Sequence, residues 1–226
     1  MRPVRNRTLL ALSFAGGIAL AAAGWWLVPQ PEAPREESWR TASELMDVVM
    51  WNKEPIGGAF ALIDQDGRRR TDADFRGKLL MVYFGFTFCS DACPIDLQSV
   101  ATTLDKLGPA SERVQPLFIT VDPEKDTPSQ LKSYVALFHP RLIGLTGTPA
   151  EIKKVAGAYK VYYAKTTGTK PTAANTYEID HTGFVFLVGT NGEYLGYLPP
   201  GTPADRMIEV IRPLVSRIAS TSVTPP

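Results

Sequence analysis

Cysteine and histidine are scarce in this chain, which has two of each among its 226 residues. The two cysteines, Cys89 and Cys93, lie only four positions apart. One bridge over so short a loop would constrain little of the chain, so this composition excludes a small fold held together by disulfides. The close spacing of two such rare residues therefore needs another explanation.

A large excess of charge of either sign is also lacking. The formal net charge is +1, and the one dense basic run, Arg68 to Arg70, is typical of a solvated hairpin edge. A nearly neutral chain lacks the electrostatic attraction on which nucleic-acid binding depends, so we expect no nucleic acid among its partners. Hydrophobic residues make up 44% of the chain, which is ordinary for a globular protein and excludes wholesale disorder.

An uncharged apolar segment, residues 9–28, follows three arginines near the N-terminus. A helix of this length would span about 30 Å, the thickness of the hydrocarbon core of a bilayer. The order basic, apolar, polar places residues 1–8 in the cytoplasm and the rest of the chain outside. We therefore expect a single-pass anchor in the inner membrane of a bacterium, with the globular part in the periplasm.

A signal peptide is the alternative for the same segment, because Ala21 to Ala23 offer small residues at a possible cleavage position. The apolar run is longer than the core of a usual signal peptide, which favours a retained anchor. Residues 29–54 begin with a stretch rich in proline and glutamate, and we expect a tether and a short lead-in to the globular domain there.

From residue 55 onwards the apolar pattern alternates between strands and helices. The predicted strands are the buried runs 79–84 and 114–121, a hairpin beginning at Phe60 and a hairpin over 184–198. Helices are predicted from about Pro94 and after the Thr-Pro pairs at 127–128, 148–149 and 202–203. This order predicts an α/β three-layer sandwich with a mixed sheet over residues 55–220, followed by a flexible tail at 221–226.

Both cysteines follow the predicted strand 79–84, at the start of the next helix. The unsatisfied backbone amides and the positive end of the helix dipole favour a thiolate there, which lowers the pKa of a thiol. On these residues alone, three interpretations are open: a structural disulfide, a redox-active dithiol and a metal site. A helix start is an unusual place for a purely structural bridge, and a third residue must decide between the other two.

The candidate for that third residue is His181, which precedes the strand predicted at 184–188. Alone, a histidine at such a position is typical of a protein surface. In a thioredoxin-like sheet, however, the loop before this strand faces the cysteine turn, where thiol–disulfide enzymes normally carry a cis-proline. Two thiolates and one imidazole suit Cu(I), and the imidazole also suits Cu(II). Zinc accepts the same ligands, so ligand chemistry alone leaves the metal open.

Four motifs, in this order along the chain, resemble the Sco/SenC family of cytochrome oxidase assembly proteins. They are GFTFCSDACP at 85–94, VDPEKDTP at 121–128, GLTGT at 144–148 and DHT at 180–182. The resemblance covers about residues 55–218 and the N-terminal anchor. It implies a thioredoxin-like fold, copper bound by Cys89, Cys93 and His181, and a role in building the binuclear copper centre of cytochrome c oxidase subunit II.

The resemblance also implies a supporting residue, Asp122, which matches the family's VDP segment. We expect its side chain near the cysteine turn, where it would support the ligands without binding the metal. A copper donor protein is expected as a second partner. The polar stretch 166–176 is interpreted as a flexible insertion that alters the choice of partner.

Two functions follow from these residues. The first is a copper metallochaperone, which binds and transfers the metal by ligand exchange without turning over a substrate. The second is a thiol–disulfide reductase that uses Cys89 and Cys93 to reduce the cysteines of the target site. His181 distinguishes them, because a reductase does not need it. A peroxidase of similar fold is disfavoured, because the Pro-x-x-x-Thr-x-x-Cys setting of its cysteine is missing.

Overall fold

The computed structural model describes residues 55–166 and 177–221, with side chains up to residue 218. The predicted anchor, the tether and lead-in, the tail after residue 221 and nearly all of the predicted insertion lie outside these residues. No helix in the described part of the chain is long and apolar enough to cross a membrane.

The described residues contain nine strands and four α-helices. The strands are β1 (Ala61–Asp64), β2 (Arg69–Thr71), β3 (Leu79–Gly85), β4 (Val114–Thr120), β5 (Ile143–Thr146), β6 (Tyr163–Thr166), β7 (Glu178–His181), β8 (Val185–Val188) and β9 (Tyr194–Leu198). The helices are α1 (Ala92–Leu107), α2 (Pro128–Val135), α3 (Pro149–Ala158) and α4 (Ala204–Thr221). Short 3-10 helices span Asp72–Phe75 and Gly108–Arg113.

Seven strands form one mixed sheet in the order β2-β1-β5-β4-β3-β8-β9. Its centre, β3, β4 and β5, is parallel, and every other pairing in this sheet is antiparallel. Strands β3 and β4 end together, because Gly85 pairs with Thr120. The connections after both strands therefore meet at one edge of the sheet, which is where ligand sites of parallel strands form.

The central strand β3 is buried on both faces, as its continuous apolar run predicts. Alternate side chains point to opposite faces of a sheet. One set, with Tyr83 as its largest member, packs in the same cluster as α1, α2 and α4. The other set, including Phe84, packs with α3. Helices thus cover both faces, and the predicted α/β sandwich with a mixed sheet is confirmed.

Each Thr-Pro pair was predicted to start a helix, and at two of the three pairs the threonine caps the helix as predicted. The hydroxyl oxygens of Thr127 and Thr148 accept hydrogen bonds from backbone amides in the first turns of α2 and α3. At the third pair, the Thr202 hydroxyl donates to the carbonyl oxygen of Pro199, and α4 begins at Ala204. Helix α1 begins at Ala92, slightly before the predicted start.

The structure also contains a two-stranded sheet that the sequence analysis did not predict. Strands β6 and β7 pair antiparallel, with Tyr163 opposite His181. We call this pair the histidine hairpin, because His181 is the last residue of β7. The sequence interpretation placed His181 in a loop before a strand, whereas the structure places it at the end of a strand of its own.

Candidate metal centre

The segment from the end of β3 to the first turn of α1, residues 85–93, carries both cysteines and is called the cysteine turn. Cys93 is buried in the first turn of α1, Cys89 is half-buried, and both are free thiols. Gly85 has no room for a side chain, because a Cβ atom there would lie 3.0 Å from both the Cys93 Sγ atom and the Phe118 ring. The absence of a side chain at Gly85 therefore lets Cys93 approach the end of β3.

Three possible metal-binding atoms meet at this edge of the sheet. The sulfur atoms of Cys89 and Cys93 and an imidazole nitrogen of His181 all lie within 4.8 Å of one another. Cys93 Sγ and His181 Nε2 lie 3.3 Å apart. Ligands that bind one ion at about 2.0–2.3 Å lie up to about 4.6 Å apart, so small side-chain movements bring all three onto one ion.

The orientation of the imidazole is set by its other nitrogen. His181 Nδ1 lies 3.1 Å from the carbonyl oxygen of Thr182, which only accepts hydrogen bonds, so Nδ1 carries the proton. The lone pair of the neutral ring is then on Nε2, which faces the sulfurs. Tyr83 and Phe86 contact the ring in T-shaped arrangements, with centroid distances of 6.2 and 5.9 Å. These contacts hold the ring with its unprotonated nitrogen towards the two sulfurs.

The two thiols differ sharply in acidity. The hydrogen bond from Cys93 lowers the pKa of Cys89 to about 4, and the backbone amides of Asp91 and Cys93 contribute in the same direction. The pKa of Cys93 is raised far above its usual range, because its proton is held by Cys89 and burial disfavours a second negative charge. The pair therefore shares one proton at neutral pH, and the negative charge rests on the more exposed sulfur, Cys89.

A buried carboxylate that the sequence analysis did not single out lies beside the site. Asp96 accepts hydrogen bonds from the Tyr83 hydroxyl at 3.2 Å and from the Gly201 amide at 2.7 Å. Burial raises its pKa. Through these bonds Asp96 fixes Tyr83, which contacts His181, and it also fixes the loop before α4.

Asp122, the predicted supporting residue, bonds to the histidine hairpin. Its two carboxylate oxygens lie 3.0 and 2.9 Å from the hydroxyl of Tyr177, which donates to them. Another acid of the same motif, Asp126, holds the cysteine turn. It is fully buried and accepts bonds from the Thr87 amide at 3.0 Å and the Thr87 hydroxyl at 2.6 Å. Both acids stand in the VDPEKDTP motif, so the motif was the available signal for Asp126.

Exposed apolar side chains flank the three candidate ligands. Phe88 precedes Cys89 and is 38% exposed, and Ile95 follows Cys93 and is 57% exposed. Tyr162 is 65% exposed, and its backbone exchanges hydrogen bonds with Thr182, next to His181. Exposed apolar side chains next to the candidate ligands are candidates for contact with another protein.

A family model described as SCO1/SenC matches residues 49–216. The chain belongs to the SCO1/SenC family. This match spans the cysteine turn, the loop after β4 and the histidine hairpin, so the family resemblance carried by the four sequence motifs is confirmed.

Curated relatives and solved structures agree with the SCO1/SenC assignment. The chain is 40% identical over 190 residues to "Protein SCO1 homolog, mitochondrial" of Homo sapiens. This alignment covers 83% of this chain and 60% of that protein. It is 40% identical to Arabidopsis thaliana ScoI, solved with copper bound, with a TM-score of 0.65 over 73% of this chain and 99% of that one. It is 26% identical to BsSco, described as having a disulfide switch, with a TM-score of 0.55 over 73% and 97% of the two chains.

Proposed function

We propose that this chain is a copper metallochaperone that serves the assembly of cytochrome c oxidase. The observation that carries the proposal is the meeting of two thiols and one oriented imidazole within 4.8 Å at an edge of the sheet. This ligand set is soft enough for Cu(I) and contains the nitrogen that Cu(II) prefers. Membership of the SCO1/SenC family supports copper as the metal, because a related ScoI is known with copper bound.

Copper is the cargo, and the three side chains take different parts in holding it. Cys89 is the first ligand, because it is already a thiolate and is the more exposed of the two sulfurs. Cys93 releases its proton when it becomes the second ligand, since only a thiolate binds copper strongly. His181 then adds its Nε2 lone pair, which the bond from Nδ1 to Thr182 keeps free of a proton.

We further propose that the partners are a copper donor protein and subunit II of cytochrome c oxidase. Transfer proceeds by ligand exchange, in which cysteines of the recipient replace Cys89, Cys93 and His181 one at a time. Such exchange requires direct contact between the two proteins. The exposed side chains of Phe88, Ile95 and Tyr162 support this contact, because they provide apolar area around the ligands.

The predicted location is part of the same proposal. We propose that residues 9–28 anchor the chain in the inner membrane, with the copper site in the periplasm. The support comes from the sequence alone, from the arginines before an uncharged apolar run and the polar stretch after it.

The second candidate function is reduction of the target's cysteines by thiol–disulfide exchange. It is favoured by the lowered pKa of Cys89, because a half-exposed thiolate attacks disulfides, and by the disulfide switch named for BsSco. In that reaction Cys89 attacks one sulfur of a partner disulfide and the other sulfur leaves as a thiolate. Cys93 then displaces the second partner thiolate, which leaves Cys89 and Cys93 oxidised to a disulfide and the partner reduced.

The metal content of the purified full-length chain, kept in mild detergent, tests the main proposal. The reduced chain should bind one copper ion, and a chain carrying both Cys89→Ser and Cys93→Ser should bind almost none. Zinc offered in equimolar competition should not displace Cu(I), because thiolates favour the softer ion. A reduced chain that retains no copper, yet reduces a model disulfide through Cys89, would instead establish the reductase.

A further inference from the structure

One loop contacts both segments that carry the candidate ligands. This loop, Val121–Asp126, follows β4 and is here called the coupling loop. We propose that the coupling loop positions the cysteine turn and the histidine hairpin relative to each other, with Asp126 and Tyr177 as positioning residues for the two segments. The inference rests on the proposed copper site. It adds that the coupling loop determines how the three candidate ligands are placed relative to one another.

The contact with the cysteine turn is made by Asp126. Its side chain accepts the amide and hydroxyl of Thr87, two residues before Cys89, and also the hydroxyl of Thr120 at the end of β4. At the other end of the loop, the Val121 amide donates to the carbonyl oxygen of Gly85 at 2.8 Å. The three hydrogen bonds that Asp126 accepts converge on one fully buried carboxyl group, and two of them are only 2.6 Å long, so Asp126 fixes where the turn leaves the sheet.

The contact with the histidine hairpin is made by the residues before Asp126. Asp122 accepts the hydroxyl of Tyr177, which directly precedes β7. Glu124 forms a salt bridge of 2.7 Å with Lys165 of β6. These two contacts tie the loop to both strands of the hairpin that ends in His181.

Lys125 adds a contact to both segments at once. Its Nζ atom lies 3.7 Å from the centroid of the Tyr177 ring and 5.5 Å from that of the Phe88 ring. A cation over an aromatic face is attracted by the ring quadrupole. Phe88 belongs to the cysteine turn and Tyr177 leads into the hairpin, so the lysine bridges the two.

The loop itself is tightly folded, which allows it to act as a unit. The amides of Lys125 and Asp126 both donate to the carbonyl oxygen of Asp122, at 3.1 and 2.9 Å. The carboxylates that hold the two segments are therefore linked through one closed turn of backbone. This turn fixes the spacing between the two carboxylates, and each carboxylate positions the segment that it contacts.

Two conservative variants test the two contacts of the coupling loop separately. They can be told apart because both copper ions need the two cysteines, whereas only Cu(II) needs His181. Thr87→Val removes a hydroxyl bond at the cysteine turn, and we expect about tenfold weaker binding of both Cu(I) and Cu(II). Tyr177→Phe removes the hydroxyl bond at the hairpin and keeps the ring. We expect it to weaken Cu(II) about tenfold and Cu(I) less than about twofold, because only Cu(II) depends on His181.

The metal-free chain provides an independent measurement of the same contacts. The equilibrium between the Cys89–Cys93 dithiol and its disulfide, measured against glutathione, should shift at least about threefold in Thr87→Val and stay within about twofold in Tyr177→Phe. The imidazole signals of His181 in the NMR spectrum should shift in Tyr177→Phe. Combining both substitutions should give a Cu(II) loss different from the product of the single losses, because one loop links them.

Gln115→Met is the matched control for lost stability. Gln115 is buried at the opposite end of β4 and donates to the carbonyl oxygen of Arg141 at 2.8 Å. It should lower the midpoint of urea unfolding as the other variants do, yet leave copper binding and the glutathione equilibrium unchanged.

Two results would overturn the inference: the same Cu(I) and Cu(II) profile in Thr87→Val and Tyr177→Phe, or a Cu(II) loss in the double variant equal to the product of the single losses. If the unaltered chain bound no copper, the proposed function would fail. The glutathione and NMR measurements on the metal-free chain would still test the role of the coupling loop. Values unchanged in both variants would overturn the inference.

Discussion

His181 Nε2 lies 3.3 Å from Cys93 Sγ, although 88 positions separate the two residues in the chain. The contact joins the end of the histidine hairpin to the first turn of α1. It forms because β3 and β8 are neighbours in the sheet, which brings the segments before α1 and before β8 to the same edge. This contact adds an imidazole nitrogen to the two thiols, so that three candidate ligands lie together.

The acidity of Cys89 gives a prediction that needs no metal. Its pKa of about 4 means that the reduced chain keeps a thiolate at every pH above about 4, whereas an ordinary thiol loses it below about pH 8.5. The rate of alkylation by iodoacetamide should therefore stay nearly constant from pH 8 to pH 5 and fall only around pH 4. Mass spectrometry should locate the adduct on Cys89.

Cys93→Ala serves as the control for that pH profile. It removes the main hydrogen bond to Cys89, so the midpoint should move upwards towards the ordinary value for a thiol. If the alkylation midpoint of the unaltered chain lay near pH 8.5, the hydrogen-bonded thiol pair would be disproved.

The proposed copper site uses the same two sulfurs that would form a Cys89–Cys93 disulfide, which gives a redox prediction. The reduced chain should bind one copper ion, and the chain with a Cys89–Cys93 disulfide should bind almost none, because neither sulfur is then a thiolate. Metal analysis after gel filtration of both forms makes the comparison. Equal copper loading would show that the cysteines are not joint ligands.

The close packing at Gly85 predicts a large effect from one methyl group. In Gly85→Ala the new Cβ would lie 3.0 Å from Cys93 Sγ and 3.1 Å from the ring of Tyr83, and overpacking of this kind costs about 1–3 kcal/mol. Urea unfolding should show that loss, together with weaker copper binding. Gly157→Ala in α3 is the control, since a Cβ atom there meets nothing within 4 Å apart from its chain neighbours and its own helix backbone, and alanine favours a helix.

Membrane topology gives a prediction that depends only on the N-terminal sequence. A periplasm-specific reporter fused after Gln30 should be active, and the full-length chain should stay in the membrane fraction during a high-salt wash. Release of a shortened, soluble protein would show instead that the apolar segment is a cleaved signal peptide.

The fold could be read from the sequence wherever the apolar pattern was strong. The run that became β3 is continuous and buried, so it predicts a central strand. The histidine hairpin could not be predicted, because β6 and β7 have four residues each, with only Ile179 buried. Its pairing depends on tertiary contacts that a short polar sequence does not reveal.

The candidate ligands could be predicted from the sequence, but the residues around them could be predicted only in part. Scarcity and spacing point to Cys89 and Cys93. The position of His181 before a predicted strand and the family resemblance both point to the third candidate. The sequence does not distinguish the roles of Asp122 and Asp126, because the two acids stand four positions apart in one motif. Only the turn of the coupling loop shows that Asp126 faces Thr87 and Asp122 faces Tyr177.

The most direct test of the copper site compares the chain's two histidines. His181→Ala should keep substantial Cu(I) binding through Cys89 and Cys93, and it should lose most Cu(II) affinity and the intense thiolate-to-copper colour. His139→Ala should bind both ions like the unaltered chain, because His139 lies beside Asp105, away from the ligands. Competition titrations with a Cu(I) chelator and a Cu(II) chelator on the full-length variants decide the matter. Unchanged Cu(II) affinity in His181→Ala would contradict the account, because it would remove from the site the residue that separates a copper carrier from a plain dithiol.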